Sequence, residues 1–201
     1  KLLTAVHRDP SAWMNLVVAF DTTDGTAADR IKIYVNGTRQ TDFSGTNTNP
    51  SQNYDTGFNN TVAHGLGGRI YDTANYFDGY IAEVNLIDGT ALTADSFGET
   101  KSGIWIPKNT SGLTFGTNGF RLEFKQTGTS QNASGIGADT SGETNHLSVT
   151  NLVAGDVTPD TPTNNFCTFN PISDDDQVAN TFSEGNLGVT PPGSGGFEAA
   201  V

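Results

Sequence analysis

The sequence is short of positive charge, cysteine and long apolar runs, and each shortage removes a class of protein. Ten Lys and Arg stand against 22 Asp and Glu, a net charge of −12. A surface that acidic repels phosphate backbones and anionic lipid, which argues against a sequence-independent nucleic-acid binder. No stretch of roughly 18 apolar residues occurs, so no transmembrane helix is expected and membrane insertion is not. The single cysteine, Cys167, excludes an intrachain disulfide and a zinc-finger cluster. It lies between Phe166 and Thr168 with no basic neighbour to activate it, and reads as a structural thiol. The three histidines, His7, His64 and His146, are scattered without ligand-like spacing.

What is abundant points to strands and turns. Gly, Ser, Thr and Asn together supply 84 of the 201 residues. Thr favours extended backbone, whereas Gly and Asn accept positive φ. A helical bundle is excluded. The charge is also uneven: Lys125 is the last basic residue, and residues 126–201 carry nine acids. Leu, Ile, Val and Phe fill 15 of those 76 positions, close to the limit at which burial offsets ordering entropy. A compact domain over 1–125 is therefore expected, then an extended acidic linker or arm over 126–170. A truncated β segment over 171–201 completes the chain. Lys1-Leu2-Leu3-Thr4 reads like the middle of a strand, and the chain is expected to be a piece of a longer one.

Several strands are legible. Leu16–Phe20 is a short apolar run after Trp13, stopped by Asp21-Thr22-Thr23-Asp24-Gly25. Residues 30–35 alternate, with Ile31, Ile33 and Val35 predicted inward and Arg30, Lys32 and Tyr34 outward. Asn36-Gly37 supplies the two positive-φ residues of a type I′ hairpin. Next come a polar loop over 44–62, a glycine-marked strand over 64–70 and a strand over 80–87. Thr93–Gly98 has room for one helical turn capped by Thr93. In 120–125, Phe120, Leu122 and Phe124 are predicted inward, with Arg121, Glu123 and Lys125 outward. Trp13 and Trp105, each beside an apolar run, are expected in the core. Short strands divided by turns indicate an antiparallel sandwich.

Three motifs in order, Ile33-Tyr34-Val35-Asn36-Gly37, Phe77-Asp78-Gly79-Tyr80-Ile81-Ala82-Glu83-Val84 and Ala91-Leu92-Thr93, together with Trp13, resemble laminin-G-like domains. Those belong to the concanavalin A-like lectin/glucanase superfamily. The resemblance covers about residues 10–98 and implies an all-β, antiparallel jelly-roll β-sandwich whose N-terminal strands are missing from this chain, as expected either of a fragment or of a domain whose sheets neighbouring chains complete. Arg8–Trp13, Gly103–Lys108, Gly116–Phe120, Gly137–Gly142 and Asp160–Phe166 further resemble a version of the domain found in bacteriophage virion proteins. Phe182–Leu187 is similar to the opening of a SPRY-like region. The resemblance implies a structural component on the virion surface, such as a tail fibre or appendage. Other virion proteins are the expected partners, with a homo-oligomer, a trimer by analogy with fibres, and host-surface glycan as a candidate ligand. The alternative on the same fold is an extracellular polysaccharide-active enzyme or a cellular adhesin.

Catalysis on such a fold makes specific demands. Superfamily glucanases pair carboxylates two residues apart on one strand, and retaining chemistry needs them ~5–5.5 Å apart. Asp78, Glu83 and Asp88 are five apart, so successive members fall on opposite faces of a strand. No catalytic residue is assigned, and the chain is expected not to be an enzyme. Sugar binding needs an aromatic face beside hydrogen-bonding groups. Tyr71, Asn75, Tyr76 and Asp78 offer that mixture, and Tyr54 with Asn53 a second one. The alternative for Tyr76 and Phe77 is a purely structural staple at a strand entrance. No organic cofactor is expected. Calcium is the candidate ion, with Asp21, Asp24 and Asp29 as ligands and Asp174-Asp175-Asp176 as a further acidic loop; solvated acidic turns are the plainer reading of both.

Overall fold

The computed structural model describes residues 2–7, 9, 12–45, 47–68, 76–164, 181–183 and 188–190. Among these the named strands are antiparallel, no α-helix occurs, and no helix is long and apolar enough to cross a membrane. The strands are β1 (Leu2–Leu3), β2 (Leu16–Phe20), β3 (Ile31–Val35), β4 (Thr38–Gln40), β5 (Phe43–Ser44) and β6 (Val84–Leu86). After them come β7 (Gly98–Lys101), β8 (Ile104–Pro107), β9 (Phe120–Leu122), β10 (Thr181–Ser183) and β11 (Gly188–Thr190). They pair as β2-β3-β4, β6-β9, β7-β8, β1-β5 and β10-β11.

The best-formed sheet is dictated by local sequence. β2 and β3 pair with Leu16 opposite Val35 and Phe20 opposite Ile31, and the turn into β4 holds Asn36 at φ 45° and Gly37 at φ 78°. Those values suit the two central residues of a I′ turn, whose twist matches the flanking strands. Gly37 has a second reason to lack a side chain: a Cβ there would lie 2.2 Å from the Trp105 ring. The same indole lies against Gly98, so it bridges the β3–β4 turn and the β7–β8 hairpin. Trp13 and Trp105 are only half-buried, less enclosed than the core positions expected of them.

Alternation along β2 holds, but it leaves one face open. Val17 and Ala19 are buried, while Leu16 is 54% and Val18 42% exposed. In β3 the expected inward positions are covered only in part, with Val35 buried and Ile31 and Ile33 half-buried. Arg30, predicted outward, is buried. Its Nε donates to Asp24 O (2.8 Å) and its Nη1 to Pro50 O (2.9 Å). A buried guanidinium needs such acceptors, and here Asp24 O and Gly25 O hold it to the turn after β2, while Pro50 O ties the start of β3 to the long polar loop. That loop is also tied at Asn53, whose N–H donates to Thr22 O (2.8 Å).

Other expectations are shortened or missed. The strand predicted over 80–87 is regular only over Val84–Leu86, and residues 64–68 form no strand. Thr93 does precede a single 3₁₀ turn, Ala94–Ser96, but its side chain makes no capping bond. β9 ends at Leu122, and Phe124 lies at φ 53°, a left-handed conformation that breaks the predicted alternation. The β7–β8 hairpin, turned by Ser102 (φ 51°) and Gly103 (φ 82°), has no counterpart among the predicted strands.

The core lies around β9 and does not stop at Lys125. Leu122, Phe115, Ala138 and Ile136 are 1%, 2%, 1% and 4% exposed. Leu122 bridges to Asp139, and Gly128 to Gly135. Residues 126–147, placed by composition at the start of an acidic arm, are thus laid against the strand that precedes them. Cys167 and Asp174–Asp176 lie outside the described residues, as does the greater part of the 171–201 segment.

Candidate functional site

The polar centre of the structure is Arg121. Alternation predicts it outward, yet it is 8% exposed. Its Nε donates to Thr110 Oγ1 (2.9 Å) and lies 3.3 Å from Glu83 Oε1. Its Nη1 is 3.0 Å from Glu123 Oε2 and 3.3 Å from Thr140 Oγ1. Thr110 also donates to Glu83, and Asn85 Nδ2 donates to the same carboxylate. Burial alone would raise the Glu123 carboxyl, but Lys125 and Arg121 hold it below the usual glutamate range.

Around Arg121 closes a loop whose role the residues alone do not reveal. Asp139, 7% exposed, accepts from the backbone N–H groups of Arg121 (2.8 Å), Ser141 (2.8 Å) and Asn145 (2.9 Å), and from Ser141 Oγ (2.9 Å). Burial pushes its carboxyl up, but these donors outweigh that and hold it below the ordinary aspartate range. Asn145 Nδ2 donates to Thr117 O and Gly119 O. The Asp139 N–H donates to His146 Nδ1 (2.9 Å). The one signal in the sequence is the string Asp139-Thr140-Ser141-Gly142 with Asn145 shortly after, residue types that bond neighbouring backbone.

The acids therefore have structural occupations. Glu83 and Glu123 flank the Arg121 guanidinium and are paired with it. Asp88, the third of the five-spaced acids, accepts from Asn59 Nδ2 (2.6 Å) and from Asn118 N–H (3.1 Å) and Nδ2 (3.0 Å). The bond from Asn59, then that from Asn118, hold its carboxyl below the usual range. Asp78 is exposed.

The calcium candidates do not converge. Asp21 Oδ1 accepts from Thr23 N–H and Oγ1, which hold its carboxyl low. Asp24 accepts from Thr26 N–H and lies 3.7 Å from Lys32 Nζ. Asp29 pairs with Arg39. A calcium ion takes six to eight oxygens in one shell, and three carboxylates serving three separate partners do not fit it. Among the described residues no group of three or more His, Cys, Asp or Glu is placed to hold a metal.

Of the sugar-binding candidates, Tyr71 and Asn75 lie outside the described residues. Tyr76 and Asp78 are exposed, and Tyr76 has other exposed large apolar residues near it in the chain. Tyr76 is 66%, Phe77 56% and Tyr80 46% exposed, with Leu66 at 45%. The segment is anchored by Phe77 N–H donating to Gly67 O (2.9 Å). A Cβ on Gly68 would stand 3.0 Å from the Tyr76 ring, and one on Gly79 3.0 Å from the Phe77 ring. Each ring is thus backed by glycine main chain and presents itself to solvent. Neither ring behaves as a covered staple. Tyr54 is also exposed, at 57%, and beside it the main-chain N–H of Asn53 donates to Thr22 O.

The antiparallel all-β architecture is that of a concanavalin A-like β-sandwich. Residues 3–96 match the family model of the concanavalin A-like lectin/glucanases superfamily. No curated protein and no solved structure is significantly similar to the chain.

Proposed function

We infer that the chain is a non-catalytic carbohydrate-binding module, part of an exposed structural component of a bacteriophage particle. The observation that carries the binding half is the exposure of Tyr76, Phe77 and Tyr80, the first two with their rings against glycine main chain, and of Asp78 between them in the chain. Sugars present C–H faces that stack on rings and hydroxyls that bond carboxylates, and this surface offers both. The non-catalytic half is supported by the placement of Arg121 between Glu83 and Glu123. A fold of this kind hosts lectins, hydrolases and structural modules alike, so the site and not the fold bears the reading. The virion setting is supported by the sequence motifs that resemble phage structural proteins.

The test is binding of the folded protein to a panel of purified bacterial surface polysaccharides, with reducing-sugar release measured on the same samples. Saturable binding that Tyr76→Ala weakens, without sugar release, is the expected result. Sugar release would favour a polysaccharide-active enzyme. No binding by the folded protein would leave a purely structural module.

A further inference from the structure

Apart from the aromatic surface, the molecule has a cleft of about 830 Å³ lined by β2 along its whole length and by the segment around β6. None of Tyr76, Phe77 or Tyr80 lines it, so its occupant is independent of the carbohydrate reading.

The hydrogen-bond parity of the two strands shows what the cleft lacks. Asp21 N–H donates to Arg30 O and Asn36 N–H to Asn15 O. With the register of β2 on β3, the odd-numbered residues of β2 therefore bond to β3. The N–H and C=O groups of Leu16, Val18 and Phe20 point the other way, and among the described residues they have no main-chain partner. The same reasoning applies to β6. Arg121, opposite Asn85, directs its N–H to Asp139 and its C=O to Thr140. The Asn85–Arg121 pair is therefore not bonded across the strands, and the main chain of Asn85 points away from β9. Among the described residues, two strands thus present unpaired edges along one cleft, which is the template for adding a strand. The exposed Leu16 and Val18 side chains extend the invitation on one face, since apolar cross-strand neighbours stabilise a pairing. Among the described residues, the charged ones lining the cleft are Asp21 and Glu83, and no Lys or Arg lines it.

We propose that this cleft is a strand-acceptor site, which takes an extended segment of another polypeptide that is alternately apolar and flanked by basic residues. The segment pairs with the outward groups of Leu16, Val18 and Phe20, and about five residues, some 17 Å of extended chain, match β2. Its basic flank meets the acidic rim and the net charge of −12.

The probe is the synthetic peptide Lys-Val-Thr-Val-Thr-Val-Lys, with an analogue N-methylated at alternate residues as control. Binding is followed by anisotropy, and amide hydrogen exchange locates it. The expected result is saturable binding of the parent peptide alone. Exchange at Leu16, Val18, Phe20 and Asn85 should slow about tenfold at a peptide concentration ten times Kd, with Val17 and Ala19 already protected without peptide. Val18→Pro removes only an outward donor, which an edge strand tolerates. It should abolish binding while Val17 and Ala19 stay protected. Val18→Lys, which places a cation facing the basic peptide, should weaken binding without a backbone change. Three results would overturn the proposal: no saturable binding, equal binding of the N-methylated analogue, or protection at amides other than these. Concentration-dependent dimerisation that protects the same amides without peptide would also overturn it, by giving the cleft to a second copy.

Discussion

Two parts of this chain, residues 117–147 and residues 66–68 with 76–81, use their side chains in opposite ways. In the first, polar groups are turned inward: Asp139 holds three main-chain N–H groups, Asn145 joins two carbonyls, and Arg121 gathers Thr110, Glu83, Glu123 and Thr140. In the second, large apolar rings are turned outward over glycine. Polarity is therefore a poor guide to location in an acidic, glycine-rich chain. Hydrogen bonds do the ordering where apolar residues are few, and aromatic residues are left for the surface.

The severest test of this contrast removes its centre. Arg121→Ala leaves Glu83 and Glu123 without their shared cation, and a loss of about 3–5 kcal/mol is expected by chemical denaturation. A loss no larger than that of a surface substitution would mean the guanidinium does not organise the region. Asp139→Asn comes next, at about 1–3 kcal/mol, because an amide cannot accept from all four donors. This variant also carries a pH signature. A carboxyl held below its unfolded value stabilises the fold fully above that value, near pH 4, and its contribution is lost as pH falls through the folded value. Wild-type stability should therefore fall more steeply below pH 4 than that of Asp139→Asn, and parallel acid titrations of the two proteins would remove the claim.

Tyr76→Ala probes the other stretch. Its thermal midpoint should stay within the range of an ordinary surface change, about ±0.5 kcal/mol, while polysaccharide affinity drops. A large loss of stability would return the ring to a packing role. The smallest effect is expected at Asp21→Asn. Thermal melts with and without calcium should superimpose for this variant and for the wild type, and a calcium-induced rise that the variant abolishes would restore the acidic loop as a metal site.

The parts legible in the sequence are those fixed by near neighbours. Asn36-Gly37 declares its turn by backbone chemistry, and the β2–β3 register accords with it. Arg30 and Arg121 defy their predicted placement because alternation reports which face a side chain takes, and not whether distant carbonyls or carboxylates await it there. The β7–β8 hairpin is hidden since Gly-Glu-Thr-Lys carries no apolar period, and its support comes from Trp105 reaching across to Gly37. In the candidate site, Tyr76 and Asp78 can be named from residue type. The seat of the two rings against Gly68 and Gly79 is visible only in three dimensions. Asp139 escapes notice because its partners are mostly backbone groups, and main chain leaves no mark in a sequence.

The indole of Trp105 doubles as a reporter. Its ring lies over Gly37 and Gly98, and its Nε1 is buried without a hydrogen-bond partner. With only two tryptophans in the chain, its fluorescence is a built-in optical gauge of whether the two hairpins remain in contact. Separation of the hairpins would wet the indole and move its emission to longer wavelength, so a Trp13→Phe background would let that single junction be watched by light alone.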